Sequence, residues 1–387
     1  MDDPVALLLS PSFLGDPYSA YETIRRQGPV VTSSLGALVV TGHAEASEVL
    51  RDWASDRRLI DPDADTSDAS LLNLDPPDHT RIRALVAPAF SARRIDKLTQ
   101  TTEQLAEELV DVALGKGDID VMRDLAYPLP LGVICQVLGI GPADHDRIRD
   151  WGYRLAPALD INADPNDAAI SQLMLDVDHH FEDLLVQRRR DLGDDMTSLL
   201  LEAQHGGADI SDRELLNLCT LLLMAGFVTT VNLIGNGIDI LTAHRDQWDT
   251  LRQTPTLVPA AVEEMLRLES PVQYTSRIAS TDTTLDGLPV AAGSAALVLI
   301  GAANRDPTAF PEPTRFDIHR TSAHPHLAFA TGIHHCLGAA LARMECQALL
   351  KALLVKTRRL ERAGQPTRRP ISNLRGFDTL PVHLVPA

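Results

Sequence analysis

Cysteine and lysine are scarce in this chain, and a long uninterrupted apolar run is lacking. The four cysteines lie far apart and form no CxxC pair, which argues against a disulfide framework and against a zinc site. Lysine supplies only four of the 35 basic residues, an arginine bias that indicates a GC-rich bacterial genome. The longest apolar candidate, residues 215–240, is interrupted by Gly, Asn and Thr. We therefore predict a buried central helix there and no membrane span.

Net positive charge is also absent, because 53 acidic residues outnumber 35 basic ones and give a formal charge of −18. Binding to nucleic acid or to an anionic membrane is therefore a poor hypothesis. The N-terminus, MDDPVALLLSPSF, has neither the basic start nor the small-residue cleavage site of a signal peptide. These features predict a soluble, cytoplasmic protein.

The hydrophobic periodicity predicts one domain, residues 1–387, that is mainly α with small β-sheets. Apolar residues make up 44% of the chain, enough for an extensive core. Ser211, with Glu214 three residues later, is a predicted N-cap for the longest helix. The predicted elements are a hairpin at 30–41, a helix at 45–51, helices from 77 to 201, the long helix at 211–241, a helix at 258–268, and strands at 283–285, at 295–300 and around Gly376.

Cys336 lies in the run FATGIHHCLGAALARME, the most informative segment of the sequence. It follows a loop that contains Gly332 and opens a segment rich in strong helix formers. A sulfur near a helix N-terminus is stabilised as thiolate by free N–H groups and the helix dipole. Such a thiolate suits axial ligation of haem iron. The alternative is a buried structural cysteine, the role predicted for the other three, Cys135, Cys219 and Cys346.

This run resembles the haem-binding loop of the cytochrome P450 family, Phe-Gly-x-Gly-x-His/Arg-x-Cys-x-Gly. Ala330 replaces the first glycine, which suggests a tighter turn and not a lost site. The resemblance extends over nearly the whole chain, from DPYSAYETIRRQGPV to LRGFDTLPVHL. It implies the cytochrome P450 fold and haem b as cofactor. The positions that match the loop are Phe329, Gly332, His334, Cys336 as the iron ligand, and Gly338.

Further positions resemble the family's contacts to the two haem propionates, which require cations or hydrogen-bond donors. His79 and Arg83 lie one helical turn apart, hence on one face, and match a His-x-x-x-Arg pattern. The alternative for this pair is a solvated surface position. Arg277 and His334 match two further propionate partners.

An ExxR pair, Glu264 and Arg267, is weak evidence alone, because such pairs decorate many helices. In the family, however, the pair is buried and a third arginine joins it from a Pro-x-Arg-Phe segment. In this chain PTRF places Arg315 at that position. The resemblance implies a role in folding and haem retention, since an unpaired buried charge costs several kcal/mol.

The central helix contains residues of low helix propensity at Gly226, Thr229 and Thr230. A threonine hydroxyl can bond the i−4 carbonyl and bend the helix, which would open a groove for O₂ and water. With Ala225, these residues resemble the family's oxygen-binding signature, Ala-Gly-x-Asp/Glu-Thr-Thr. Val228 stands where the signature has its acid and can relay no proton.

The resemblance implies a monomeric monooxygenase that takes electrons from a ferredoxin and its reductase and inserts one oxygen atom into a small organic substrate. A natural-product tailoring step is our interpretation of the bacterial composition. Val228 leaves open a peroxide-driven or phenol-coupling oxidation, and a haem sensor or carrier without turnover is a further alternative. Substrate contacts are expected, by analogy with the family, from the segments 61–72 and 156–166 and from Met224, Phe227, Tyr274, Thr275 and Phe377.

Overall fold

A computed structural model describes residues 3–59, 70–159, 164 and 167–387. Helices dominate it, as the periodicity predicts. In chain order the α-helices of the described residues are α1 Pro4–Leu8, α2 Pro11–Gly15, α3 Pro17–Arg25, α4 His43–Asp52, α5 Asp78–Val86, α6 Ala92–Lys116, α7 Pro128–Leu138, α8 His145–Leu155, α9 Ala168–Arg190, α10 Met196–His205, α11 Asp212–Gly226, α12 Val228–Ala243, α13 Arg245–Gln253, α14 Val258–Leu268, α15 Ile300–Ala303 and α16 Ala339–Lys356.

The strands are short and form small sheets at the edge of the helical body. They are β1 Val30–Thr32, β2 Leu38–Val40, β3 Asp118–Asp120, β4 Thr275–Ile278, β5 Thr283–Leu285, β6 Leu288–Val290, β7 Ala295–Val298, β8 Thr357–Arg362, β9 Thr367–Arg368, β10 Phe377–Thr379 and β11 Pro381–Pro386. The largest sheet has the order β1-β2-β7-β4, and a second has the order β3-β11-β8. The predicted hairpin is confirmed, with Val30 opposite Val40.

Helix α12 runs through the main hydrophobic core, where residues such as Val231 and Ile234 are fully buried. One described helical stretch, 212–243, is long and apolar enough to cross a membrane, but 72% of its apolar window is buried inside the protein. Its composition is therefore that of the core helix predicted from the sequence.

Local signals predict the helix starts better than the strand ends. The capping box is confirmed, because the Glu214 N–H donates to Ser211 Oγ at 3.2 Å and the Ser211 N–H donates to Glu214 Oε2 at 2.7 Å. The strand predicted at 295–300 is too long: it ends at Val298, and Ile300 begins α15. A short apolar run does not distinguish a strand from a buried helical turn.

Candidate active site

The Cys336 loop leads directly into α16, as predicted. The Cys336 N–H donates to the Phe329 carbonyl at 2.9 Å, and α16 begins three residues after the cysteine. Burial raises the pKa of the Cys336 thiol, while the Gly338 N–H and the guanidinium groups of Arg83 and Arg343 lower it. Burial is therefore the largest influence on the Cys336 pKa, and the backbone donor and the two guanidinium groups act against it.

Two residues of the loop have left-handed backbone conformations. Gly332 has φ +74°, and a Cβ there would lie 2.7 Å from the Cα of Arg51, so glycine is required. Ala330, at the position where the family has glycine, has φ +54°. The loop thus places an alanine in a conformation that costs an L-residue about 1–2 kcal/mol.

We expect Ala330→Gly to stabilise the protein by about 0.5–1 kcal/mol. Relief of the left-handed strain exceeds the added conformational entropy of a glycine in the unfolded chain, about 0.4–1 kcal/mol. Urea unfolding measures this change. Gly332→Ala, with both the positive φ and the overlap on Arg51, should destabilise the protein. A less stable Ala330→Gly variant would contradict the strain argument.

The predicted propionate partners His79, His334 and Arg277 lie together. The imidazole rings of His79 and His334 are 4.5 Å apart. Buried Nε2 of His79 and Nε of Arg277 have no hydrogen-bond partner, and no carboxylate pairs with the Arg277 guanidinium among the described residues. Burial, followed by the charges of Arg277 and His79, lowers the pKa of His334 to about 4. Two haem propionates would satisfy these unpartnered buried nitrogens, so the residues fit the predicted cofactor.

Arg83 joins this cluster to the cysteine loop. Its Nη2 donates to the His335 carbonyl at 2.6 Å, and it lies one turn after His79 on α5, as predicted. The sequence analysis did not identify Asp75, which accepts from the backbone N–H groups of Ser55 and Asp56 and lies 3.5 Å from His334 Nε2. Only its position just before Pro-Pro at the start of α5 could have drawn attention to it.

A second residue missed by the sequence analysis is Arg343, seven residues after the cysteine on α16. Its guanidinium lies 4.5 Å from the ring centroid of Phe329 and pairs with Glu263, with Nε to Oε1 at 2.7 Å. The contact with Arg343 therefore holds the Phe329 ring of the cysteine loop against α16. Arg343 belongs to no motif of the sequence, and only the packing of α16 against the loop reveals its contact with Phe329.

The predicted defect in the central helix is a break at Phe227, which separates α11 from α12. The Thr229 hydroxyl donates to the Ala225 carbonyl at 3.0 Å, the i−4 bond expected of a helix-bending threonine. Ala225 is exposed, Gly226 and Thr229 are half-buried, and Thr230 is buried. Val228 is 2% exposed, so a buried apolar side chain occupies the position of the acid.

The predicted substrate contacts divide into two groups by burial. Met224 and Thr275 are partly exposed and remain candidates for lining a cavity. Phe227, Tyr274 and Phe377 are buried packing residues, at 0%, 5% and 2% exposure. The Tyr274 hydroxyl lies 2.6 Å from Ser372 Oγ, and the Arg368 guanidinium covers the Phe377 ring at 3.7 Å. Of the predicted segments, residues 61–69, 160–163 and 165–166 lie outside the described residues.

The ExxR pair is buried and bidentate, as predicted, with Arg267 Nε to Glu264 Oε2 at 2.7 Å and Nη2 to Oε1 at 2.8 Å. The prediction for the third arginine is wrong. The Arg315 side chain is 58% exposed and pairs with Glu312. Arg320 joins instead, with its Nε 3.0 Å from Glu264 Oε1 and 3.1 Å from Oε2. Arg315 contributes only its carbonyl, which accepts from Arg267 and Arg320.

Comparisons with known proteins agree with this geometry. The family model "Cytochrome P450" matches residues 153–374. The cytochrome P450 monooxygenase PikC of Streptomyces venezuelae is 37% identical, with 97% of this chain and 92% of that protein covered. The structure of CYP164A2 from Mycobacterium smegmatis superposes with a TM-score of 0.92 at 34% identity, covering 98% of this chain and 99% of that one. The structure of PksS, the bacillaene polyketide synthase cytochrome P450 of Bacillus subtilis 168, gives a TM-score of 0.89 at 33% identity, covering 97% and 100%.

Proposed function

The chain belongs to the cytochrome P450 family and is a monooxygenase, and on this premise we propose that it inserts one oxygen atom from O₂ into a small organic substrate of bacterial natural-product metabolism. The observation that supports this proposal most strongly is the Cys336 loop together with a buried cluster in which His79 Nε2 and Arg277 Nε have no hydrogen-bond partner. PksS, a relative named for a polyketide synthase, supports the substrate class.

The cofactor of the family is haem bound through a cysteine thiolate, which when bound supplies the reductive activation of dioxygen. We propose that Cys336 is its axial ligand and that His79, Arg83, Arg277 and His334 hold its propionates. No atom of the described residues lies within 4 Å of where a Cβ at Gly338 would be, so nothing crowds the loop two residues after the cysteine.

We propose that the break between α11 and α12 holds the proton-handling groups. The Thr229 hydroxyl donates its hydrogen bond to the Ala225 carbonyl. The lone pairs of the Thr229 oxygen therefore stay available to accept a hydrogen bond from a water. Ala225 is exposed and Gly226 is half-buried, so a water can reach that oxygen. Thr230 is buried and supports the turn; Met224 and Thr275 are the proposed substrate contacts.

Electrons are proposed to come from a ferredoxin and its reductase, as is usual for soluble bacterial members of the family. His335, next to the proposed iron ligand in the cysteine loop, is an exposed residue, and we propose that electrons enter near it. We further propose a cytoplasmic, monomeric enzyme with one domain, residues 1–387.

A second candidate function is favoured by Val228. A buried isopropyl group at the acid position can neither donate nor relay a proton, so peroxide-driven or phenol-coupling oxidation would avoid the step that this position normally serves. General acid–base groups contribute about 10²–10⁴-fold to rates. The replacement therefore bears on which oxidant the enzyme uses.

We expect Val228→Glu to raise product formation driven by ferredoxin, reductase and NAD(P)H by roughly tenfold or more, because it restores a proton donor at the start of α12. Val228→Gln, of similar size without an acid, is the control. Each variant is compared with the wild type using the reductant and using peroxide alone. Equal reductant-driven rates for the Glu and Gln variants would show that the missing acid does not limit this enzyme.

A further inference from the structure

Phe227 lies at the break between the two halves of the central helix and belongs to neither half. Its backbone angles, φ −124° and ψ −37°, depart from helical values, and α12 resumes at the next residue. Its side chain is nonetheless fully buried, at 0% exposure. A large ring at a helix break, turned into the core and away from solvent, is a packing element that fixes where the break occurs.

The ring of Phe227 occupies space left by a missing side chain on α8. A Cβ at Gly152 would overlap the Cζ atom of the ring and lie 2.5 Å from Cε1. Gly152 is itself buried, between the buried neighbours Trp151 and Leu155 on α8. Phe227 therefore rests on the backbone of α8, and only glycine at 152 permits this contact.

A second close contact holds the other side of the break. A Cβ at Gly226 would lie 2.6 Å from Cδ1 of Ile134 on α7, and both α7 and α8 pack against α11. Gly226, the last residue of α11, contacts α7, and Phe227, at the break itself, contacts α8. Each of these two consecutive residues is thus fixed by a different helix. Neither contact leaves room for the break to shift along the chain.

The geometry of the break determines the Thr229 hydroxyl bond. Ala225, the acceptor, lies in the last turn of α11, whereas Thr229 lies in the first turn of α12, so the 3.0 Å bond spans the break. The Val231 N–H donates to the Phe227 carbonyl at 2.8 Å, which is the first bond of α12. A change in the angle between α11 and α12 therefore changes the Thr229 bond.

We propose that Phe227, resting on Gly152, is a positioning residue that sets the Thr229 hydroxyl and links α8 to proton delivery. This inference depends on the proposed monooxygenase function. When oxygen insertion is coupled to electron transfer, the overall reaction is RH + O₂ + 2e⁻ + 2H⁺ → ROH + H₂O. The ferredoxin supplies the electrons. When protons are misplaced, O₂ + 2e⁻ + 2H⁺ gives H₂O₂ instead. Displacement of Phe227 should therefore raise the peroxide released per NAD(P)H.

Gly152→Ala tests this directly. We expect amide hydrogen exchange in residues 226–231 to quicken by about tenfold, since the added methyl displaces the ring and loosens the break. With 7-ethoxycoumarin as an apolar probe, peroxide released per NAD(P)H should rise at least about threefold, at unchanged haem content. The double variant Gly152→Ala with Phe227→Leu should return both readouts toward wild type, because leucine lacks the overlapping ring atoms.

Gly141→Ala is the matched control, because no atom lies within 4 Å of a Cβ at that glycine, and neither readout should change. If Gly152→Ala fails to fold, Phe227→Leu alone should still speed exchange in 226–231. Unchanged exchange in these variants, or no rescue in the double variant, would overturn the inference. Absence of product from the wild type with reductant would instead overturn the proposed function, and the exchange measurement would still decide the role of Phe227.

Discussion

Arg320→Ala should lower the free energy of unfolding by about 3 kcal/mol or more, the scale of a broken buried ion pair. Its Nε contacts both oxygens of Glu264, and its Nη atoms donate to the carbonyls of Pro311, Glu312 and Arg315. The Arg320 side chain is only 11% exposed, and that of Glu264 4%. Removing the guanidinium takes away one of the two arginines that neutralise the buried Glu264 carboxylate, and an uncompensated buried charge is the costly part of a broken pair.

Arg315→Ala is the control from the same coil. Its side chain pairs with Glu312 at the surface, and an exposed pair contributes roughly 0–1 kcal/mol. Urea unfolding of both variants, with haem content recorded, separates the two arginines. Arg320→Lys keeps the charge but loses the forked donor geometry, so an intermediate loss is expected. An Arg315→Ala variant as unstable as Arg320→Ala would refute the corrected assignment.

Cys336→Ser should reduce product formation driven by the reductant by more than about 100-fold, because even supporting residues around metal ligands contribute 10–100-fold. A serine hydroxyl does not provide the electron-donating thiolate on which the family's oxygen chemistry depends. Haem retention should also fall, although His79, Arg277 and His334 still offer donors to the propionates.

The control for this variant is Cys346→Ala, ten residues later on α16. The Cys346 thiol is buried at 2% exposure, and burial raises its pKa to about 12, so it is a core thiol with no metal to bind. We expect activity and haem spectrum to stay near those of the wild type. Loss of both in Cys346→Ala, with Cys336→Ser unaffected, would reverse the assignment.

Features fixed by neighbouring residues could be predicted from the sequence. The capping box of Ser211 and Glu214, the hairpin around Gly36 and the helix after Cys336 each depend on a few adjacent residues. His79 and Arg83 lie one turn apart on any helix, so their shared face was predictable as well. The resemblance to the family then predicted that Arg277 and His334 would bind the same propionates as this pair.

Features set by tertiary packing could not be predicted in this way. Arg315 and Arg320 lie five residues apart in one coil, and only the three-dimensional path of that coil decides which side chain reaches Glu264. The ring of Phe227 turns toward Gly152, a choice that depends on a glycine 75 residues earlier in the chain. Asp75 owes its position near His334 to backbone donors of Ser55 and Asp56, which no motif contains.

The central claim is a sulfur–iron bond at Cys336, and the absorption spectrum of the reduced protein under carbon monoxide tests it most directly. The account predicts the strongly red-shifted Soret band of thiolate-ligated haem in the wild type and in Cys346→Ala, and its loss in Cys336→Ser. An unchanged red-shifted band in Cys336→Ser would contradict it.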